Sequence, residues 1–190
     1  MLDSALLARE FEAGSDYESY VATGTADQQK AWGKILEQAR PTDAQRELLA
    51  GFQREMNVLV VSGVWCGDCA QQCPLIQRIA EANADQIRLR FVDRDEHADL
   101  SRHVRINAGG RVPVAIFMAE DFEFCSLFGD RPLARYRAIA GHQLGPSCPL
   151  PGAPVPDDEL AATLADWLAE FERVQLMLRL SPRLRQKHGD

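Results

Sequence analysis

The sequence predicts an α/β fold in which helices cover both faces of a four-stranded mixed sheet. Three observations lead to this class. Helix-start signals crowd the first 55 residues, a strand, helix and strand pattern runs from 58 to 93, and two further strand-like runs are separated by only three residues. A strand, helix and strand unit makes a right-handed parallel crossover, whereas so short a connection forces an antiparallel hairpin. We therefore expect one domain over residues 1–190, made of a helical extension (1–55), a core (56–141), a proline-rich connection (142–156) and a C-terminal helix (157–180).

The first 55 residues are expected to be helical, because three residue pairs have the spacing of a capping box. The pairs are Ser15 with Glu18, Thr25 with Gln28, and Thr42 with Gln45. Apolar residues recur at helical spacing after the second and third pairs, so each of these helices should bury one face. We expect the helices to cover one side of the sheet, and a role in substrate recognition is the alternative.

Four runs of residues are expected to form the sheet. The run 58–62 is continuous and β-branched, which suits a central strand buried on both faces. The run 87–93 alternates apolar and charged residues, which predicts an edge strand guarded against strand addition by Arg88 and Arg90. The predicted order across the sheet is 87–93, 57–62, 113–119 and 122–128.

The C-terminal part is expected to contain an exposed connection and a long helix. Five prolines between residues 145 and 156 remove backbone donors and predict an extended segment. Asp157 is expected to cap a helix that ends at Ser181-Pro182. Its apolar stripe contains Leu160, Leu164, Trp167, Phe171, Val174 and Leu178. We expect this stripe to pack against the chain's own core, and a homodimer through the C-terminal helix is the alternative.

Composition limits the partners and the compartment. The 190 residues include 21 Lys and Arg against 28 Asp and Glu, and the resulting net charge of -7 repels a phosphate backbone. Nucleic acid is therefore not an expected partner. The sequence has neither a secretory start nor a long uncharged apolar stretch, so we expect no membrane association and a cytoplasmic protein with reduced thiols.

The segment from Trp65 to Cys69 carries two cysteines where a central strand meets a helix. A thiol at a helix N-terminus faces unpaired backbone N–H groups, which stabilise the thiolate. Cys66 is therefore the expected nucleophile, and Cys69, one turn further on the same face, the thiol that resolves a mixed disulfide. Gly67 keeps the turn open, while Trp65 gives the exposed sulfur a flat apolar wall.

The same spacing also begins many zinc sites, which need four thiolate or imidazole ligands. Cys73 offers a third ligand, but no second CxxC and no closely spaced His pair follows. We therefore expect no metal, and zinc binding through Cys66, Cys69 and Cys73 is an alternative. Cys73 is expected to be a small buried apolar residue, although a redox role closing on Cys69 is possible. Cys125 and Cys148 are interpreted as structural.

A proline opens the third strand-like run, at Val112-Pro113. One interpretation is a simple strand start, where a missing backbone donor is tolerated. The other is a cis peptide bond that turns the backbone groups of Val112 outward to pair with an extended substrate segment. Val112 and Pro113 are therefore candidate substrate-binding residues, together with Trp65, Gly67 and Asp68.

The motif Trp65-Cys66-Gly67-Asp68-Cys69, with Pro74 after it and Val112-Pro113 further on, resembles the thioredoxin family over about residues 56–141. The helical extension and the turn 129–132 resemble a less characterised bacterial branch of it. The resemblance implies a three-layer thioredoxin-like fold and a protein disulfide oxidoreductase without a bound cofactor. It implies that Cys66 attacks, Cys69 resolves, Pro74 kinks the helix and Pro113 is a cis-proline beside the sulfurs. The implied partners are proteins with disulfides and an unidentified reductase or small-thiol reductant.

The sequence departs from the family pattern at three positions. Val60 and Leu89 stand where the family has a buried Asp and its Lys partner, so proton transfer must use another group. Asp68 replaces a proline between the cysteines, and a carboxylate near the sulfurs disfavours the thiolate. We therefore expect Cys66 to be less acidic, and the dithiol more reducing, than the helix N-terminus alone would give. A thioredoxin-like binding module with weak or no redox turnover is the alternative function.

Overall fold

A computed structural model describes residues 2–144 and 158–190, and its centre is a four-stranded mixed sheet. The strands are β1 (Met56–Ser62), β2 (Ile87–Asp93), β3 (Val114–Ala119) and β4 (Phe124–Gly129). They are arranged in the order β2-β1-β3-β4, with β1 parallel to β2 and the other two pairs antiparallel. The predicted order is therefore confirmed. The fourth strand begins two residues later than expected, because Phe122 has the positive φ of a tight turn (φ 63).

Helices cover both faces of the sheet, since every residue of β1 and β3 is buried. The helices that follow the first strand are α5 (Gly67–Glu81), α6 (Ala98–His103), α7 (Leu133–Gln143), α8 (Glu159–Leu180) and α9 (Pro182–His188). The buried apolar side chains form one cluster that runs from Leu7 to Leu184. The predicted three-layer α/β class is thus confirmed. Within residues 2–144 and 158–190, no helix has the length and apolar character needed to cross a membrane.

The N-terminal extension contains one helix more than its three start signals predict. Its helices are α1 (Ser4–Ala13), α2 (Tyr17–Ala22), α3 (Ala26–Gln38) and α4 (Asp43–Ala50). The capping boxes that begin with Thr25 and Thr42 are both formed. The additional helix is α1, which Asp3 caps through its side chain without a Glu or Gln partner three residues later. The capping-box pattern therefore could not reveal it.

The prediction that Ser15 and Glu18 form a capping box is wrong. Asp16 caps α2, because its carboxylate accepts a hydrogen bond from the Ser19 backbone N–H. The backbone of Ser15 instead exchanges two hydrogen bonds with Phe91, at 2.9 and 2.8 Å. This bridge pairs part of the outer edge of β2, which is an edge strand as the sequence predicts.

The C-terminal helix packs on its own chain. Five of the six residues of the predicted stripe are buried in the core, and Leu160 is packed against it. The interpretation as core packing is confirmed, and a homodimer through this helix stays a prediction. Asp158, not Asp157, caps α8 by accepting a hydrogen bond from the Ala161 N–H at 2.9 Å.

The connection before this helix also begins later than predicted. Residues 142 and 143 belong to α7, which ends at Gln143. The predicted connection from residue 145 onwards, which includes Cys148, lies outside the described residues, and so does Asp157, the first residue of the predicted C-terminal helix.

Candidate active site

Cys66 lies at the junction between β1 and α5, as the sequence predicts. It is the N-cap residue of α5, with extended backbone angles (φ -86, ψ 125) and no side-chain capping hydrogen bond. Its backbone N–H donates to the carbonyl of Gly63 at 2.9 Å, and its own carbonyl accepts from Ala70 at 3.0 Å. The sulfur is therefore held at the start of the helix by backbone geometry and stays available for chemistry.

The turn before Cys66 packs closely against the ring of an exposed tryptophan. Trp65 has 47% of its surface exposed, and the guanidinium of Arg94 lies over its ring at 4.6 Å from the centroid. A Cβ added to Gly63 would come within 2.7 Å of this ring, so the tight approach needs glycine. At Gly67 an added Cβ would meet no atom within 4 Å, which leaves open space beside the dithiol.

The N-terminal extension supports this turn from behind. Trp32 is fully buried, and its indole N–H donates to the carbonyl of Val64 at 3.0 Å. The sequence showed Trp32 only as one of the apolar residues of a helix. A hydrogen bond across 32 positions leaves no local pattern, so its role at the site could not be found from the sequence.

The two thiols of the motif differ in exposure and influence each other. Cys69 is fully buried, whereas Cys66 is partly accessible. The Cys69 thiol raises the pKa of Cys66 through hydrogen bonding, burial adds to this effect, and the backbone N–H groups of Cys69 and Asp68 oppose it. Burial raises the pKa of the Cys69 thiol well above its ordinary value. The backbone N–H groups at the helix start therefore lower the pKa of Cys66, as expected, but the partner thiol and burial outweigh them, so that Cys66 is less acidic than the helix start alone would give.

The predicted substrate-binding segment lies directly beside Cys66, the predicted nucleophile. The Val112–Pro113 peptide bond is cis, and the Cys66 thiol points to the Val112 carbonyl oxygen with an S–O distance of 3.8 Å. Val112 and Pro113 are both buried. The structure thus brings together residues that are separated by 46 positions in the sequence.

Asp68 does not act as the isolated negative charge that the sequence argument assumed. Its carboxylate accepts hydrogen bonds from the Arg131 Nε at 3.0 Å and from Arg135 at 3.2 and 3.3 Å. Arg135 also pairs with Glu159 at the start of α8. Two guanidinium groups therefore neutralise Asp68 and tie the first turn of α5 to α7 and α8.

A buried polar network supports the other side of the site, and the sequence analysis did not identify it. Asp130 is only 3% exposed, and its carboxylate accepts hydrogen bonds from Arg111 at 2.9 Å and from the Tyr136 hydroxyl at 2.6 Å. Burial acts to raise the pKa of Asp130, but these two donors lower it below its usual value. The backbone carbonyl of Asp130 accepts from Gln72, whose side-chain oxygen accepts from Trp167 at 3.2 Å. The network joins α5, α7 and α8 around the site.

The other described cysteines, Cys73 and Cys125, do not belong to the CxxC motif. Cys73 is fully buried, as predicted, with its sulfur 3.5 Å from the Ser62 hydroxyl. Cys125 is half-buried and donates to the Glu123 carbonyl at 3.5 Å. In the part of the chain that the structure describes, no three His, Cys, Asp or Glu side chains are arranged to hold a metal ion. The zinc alternative therefore has no support from the geometry of Cys66, Cys69 and Cys73.

Comparisons with known proteins agree with this architecture. A sequence model of the family described as Thioredoxin matches residues 14–140. A crystal structure of a protein of unknown function from Pseudomonas aeruginosa is similar with a TM-score of 0.69 at 19% identity, covering 88% of this chain and 95% of that one. An HIV epitope scaffold has a TM-score of 0.60 at 22% identity, covering 88% and 92%. Mitochondrial thioredoxin 3 from Saccharomyces cerevisiae has a TM-score of 0.33 at 20% identity, covering 44% and 73%. No curated protein matches the chain significantly.

Proposed function

Because the chain belongs to the thioredoxin family, we propose that it exchanges disulfides with protein substrates through Cys66 and Cys69. One observation carries the proposal: the partly accessible sulfur of Cys66 lies at the start of α5 and 3.8 Å from the Val112 carbonyl oxygen, with Cys69 buried beside it. This combines a partly accessible thiol, a buried thiol that can resolve a mixed disulfide, and a backbone carbonyl beside the accessible sulfur.

The proposed reaction has two steps. The Cys66 thiolate attacks one sulfur of a target disulfide, so that a mixed disulfide forms and the other target sulfur leaves as a thiolate. Cys69 then loses its proton and attacks the Cys66 sulfur; the bond from Cys66 to the target breaks, and the departing target thiolate takes up a proton. Two electrons pass to the target, and a reductase or small thiol must return them to the Cys66–Cys69 disulfide.

The target is proposed to lie over the open side of this site. Trp65 offers an exposed aromatic surface, the space beside Gly67 is empty, and Val112 and Pro113 border the Cys66 sulfur. Asp68, held in place by Arg131 and Arg135, lies at the border of this open side. We propose proteins with disulfides as substrates and a reducing cytoplasm as the compartment, since that environment keeps such a dithiol reduced.

One observation favours the second candidate, a binding module with weak turnover. The pKa values of Cys66 and Cys69 are both raised, so the reactive thiolate is scarce at neutral pH. A low thiolate fraction slows exchange but does not abolish it, because a thiolate with a higher pKa is also the stronger nucleophile. The oxidoreductase is therefore the first proposal.

The two candidates are separated by insulin reduction with dithiothreitol as electron donor. We expect turnover by the unaltered protein, loss of it in Cys66→Ser, and a trapped mixed disulfide in Cys69→Ser. Cys125→Ser is the matched control, because Cys125 is a half-buried free thiol whose hydrogen bond goes to the local carbonyl of Glu123. If the unaltered protein gives no turnover and Cys69→Ser traps no target, the oxidoreductase proposal fails and the binding module is favoured.

A further inference from the structure

Arg94 connects the two segments that border the Cys66 sulfur. Its guanidinium carbon lies 4.6 Å from the centroid of the Trp65 ring, and its Nη1 donates to the Gly110 carbonyl at 3.0 Å. Trp65 directly precedes Cys66 in the active-site turn. Gly110 stands two residues before Val112, whose carbonyl oxygen is 3.8 Å from the Cys66 sulfur. One side chain therefore joins the turn that carries Cys66 to the loop that leads to Val112.

The backbone of Arg94 is fixed, so that its side chain starts from a defined place. Arg94 directly follows β2, and its backbone N–H donates to the carbonyl of Ser62, the last residue of β1, at 2.8 Å. Its own carbonyl accepts a hydrogen bond from the Ser101 hydroxyl on α6, also at 2.8 Å. Because the backbone is already ordered, little further conformational entropy is lost when the side chain bridges the two segments.

The donors of the guanidinium are directed as well. Nε and Nη2 donate to the Asp95 carboxylate at 3.0 and 3.3 Å, while Nη1 reaches Gly110. A guanidinium is planar, so these bonds fix the plane that lies over the Trp65 ring. A Cβ added to Gly110 would be 3.7 Å from the Arg94 Cδ, so the stem of the side chain also packs against the loop. Since Asp95 balances the charge, the side chain is suited to hold two segments at a fixed spacing rather than to attract a distant partner.

The loop that Arg94 contacts connects α6 to β3. A tight turn at 106–109, closed by two backbone hydrogen bonds of 3.1 and 3.0 Å, precedes Gly110. The residue after Gly110 is Arg111, which pairs with Asp130 at 2.9 Å. Arg94 therefore ties this loop to the active-site turn, while Arg111 ties it to the segment after β4.

We propose that Arg94 is a positioning residue that keeps the Trp65 ring and the segment before Val112 at the spacing an extended polypeptide needs, and thereby favours polypeptide disulfides over small ones; this role rests on the proposed exchange reaction. A polypeptide can contact the Trp65 ring and pair with the Val112 backbone at the same time, so it gains from a fixed spacing between them. A small disulfide needs only the surroundings of the Cys66 sulfur, so it gains nothing. Arg94 itself takes no part in bond formation or proton transfer.

The test compares two disulfides. Insulin, with dithiothreitol as electron donor, represents the polypeptide, and an aromatic disulfide that releases a coloured thiol represents the small substrate. In Arg94→Ala we expect KM for insulin to rise about three- to tenfold with kcat retained, the effect of losing a cation–π contact and a hydrogen bond. The rate with the small disulfide should not change. Arg94→Lys keeps the charge but not the planar group, so KM should stay raised by about twofold or more.

Arg88→Ala is the matched control. Arg88 lies at the other end of β2, and its guanidinium also lies over an aromatic ring, 5.1 Å from the centroid of Phe11. It forms ion pairs with Glu12 and Glu55. The control therefore removes the same charge and the same kind of contact away from the dithiol, and KM for insulin should not change.

A second measurement reads the arrangement of the turn without turnover. Trp32 and Trp167 are fully buried, whereas Trp65 is exposed, so quenching of tryptophan fluorescence by acrylamide reports chiefly on Trp65. Arg94→Ala should raise the quenching constant, because it uncovers one face of the ring. Arg88→Ala should leave it unchanged.

Three results would overturn the role of Arg94. An unchanged KM for insulin in Arg94→Ala would show that the spacing does not matter, and equal slowing with both disulfides would mean general damage. Full recovery of KM in Arg94→Lys would mean that charge alone acts. If Arg94→Ala does not fold, the same comparison of the two disulfides in Arg94→Lys decides. Failure of the unaltered protein to reduce either disulfide contradicts the exchange reaction itself and is thereby distinguishable.

Discussion

The Asp68 carboxylate accepts a hydrogen bond from the Nε of Arg131 at 3.0 Å, across 63 positions of the sequence. Arg135 adds two further hydrogen bonds to the same carboxylate. Asp68, one of the two residues between the cysteines, is therefore an ion-pair partner of the segment that follows β4. We therefore expect the two guanidinium groups to offset the effect of the Asp68 charge on the nearby Cys66 thiol.

Asp68→Asn should lower the pKa of Cys66. The substitution removes one negative charge and leaves Arg131 and Arg135 with one carboxylate partner fewer, and positive charge favours a thiolate. We expect a decrease of about half a unit to one unit, measured by the ultraviolet absorbance of the thiolate during a pH titration. Arg131→Gln should shift the pKa in the opposite direction. A rise in Asp68→Asn would contradict the assignment.

The ion pair of Asp130 should make stability depend on pH in a defined sense. Its pKa is lowered in the folded protein, so its contribution is fully present above the ordinary range of an aspartate and is lost as the pH falls through the folded value. Asp130→Asn should therefore lower the free energy of unfolding by about 2 kcal/mol at pH 7. The difference should narrow towards pH 3 in urea unfolding experiments. Equal losses at both pH values would count against the pairing with Arg111 and Tyr136.

The two glycines that flank Trp65 and Cys66 make a matched pair of variants. In Gly63→Ala the new Cβ would lie 2.7 Å from the Trp65 ring, whereas in Gly67→Ala it meets nothing within 4 Å. We expect the first variant to displace the indole and shift its N–H resonance in the NMR spectrum. The second should leave that resonance in place and stabilise the first turn of α5 by up to about 1 kcal/mol. Equal shifts in both variants would show that Trp65 is not packed on Gly63.

The sequence was sufficient for the parts of the fold that depend on local pattern. The β-branched run around Val60 and the alternation around Leu89 predicted a central and an edge strand, because burial on one or both faces determines such patterns. The position of Cys66 at a helix start was predictable for the same reason. The capping box predicted for Ser15 is wrong because the backbone of Ser15 pairs with Phe91, 76 positions away. The spacing between Ser15 and Glu18 gives no information about that contact.

The charged surroundings of the dithiol were not predictable from the sequence. Asp68 and Arg131 are neighbours only after β4 has folded against the sheet, so the neutralisation of the Asp68 charge depends on tertiary contacts. The same holds for Asp130, whose partner Arg111 lies before β3. The spacing of the CxxC motif identifies which thiols can react, but contacts with residues distant in the sequence determine the pKa values of those thiols.

The link between the N-terminal extension and the active-site turn can be tested with two tryptophans. Trp32 donates to the Val64 carbonyl in the turn, whereas Trp167 donates to Gln72 inside the core, and both are fully buried. Trp32→Phe and Trp167→Phe should each lower the free energy of unfolding by about 2 kcal/mol, through a lost hydrogen bond and a small cavity. Only Trp32→Phe should also speed hydrogen exchange at the Cys66 backbone N–H, because that group bonds to Gly63 within the supported turn. Trp167→Phe is the control, because it loses the same side-chain volume. Faster exchange of the Cys66 N–H in both variants would mean that global stability, and not the hydrogen bond to Val64, controls the opening of the turn.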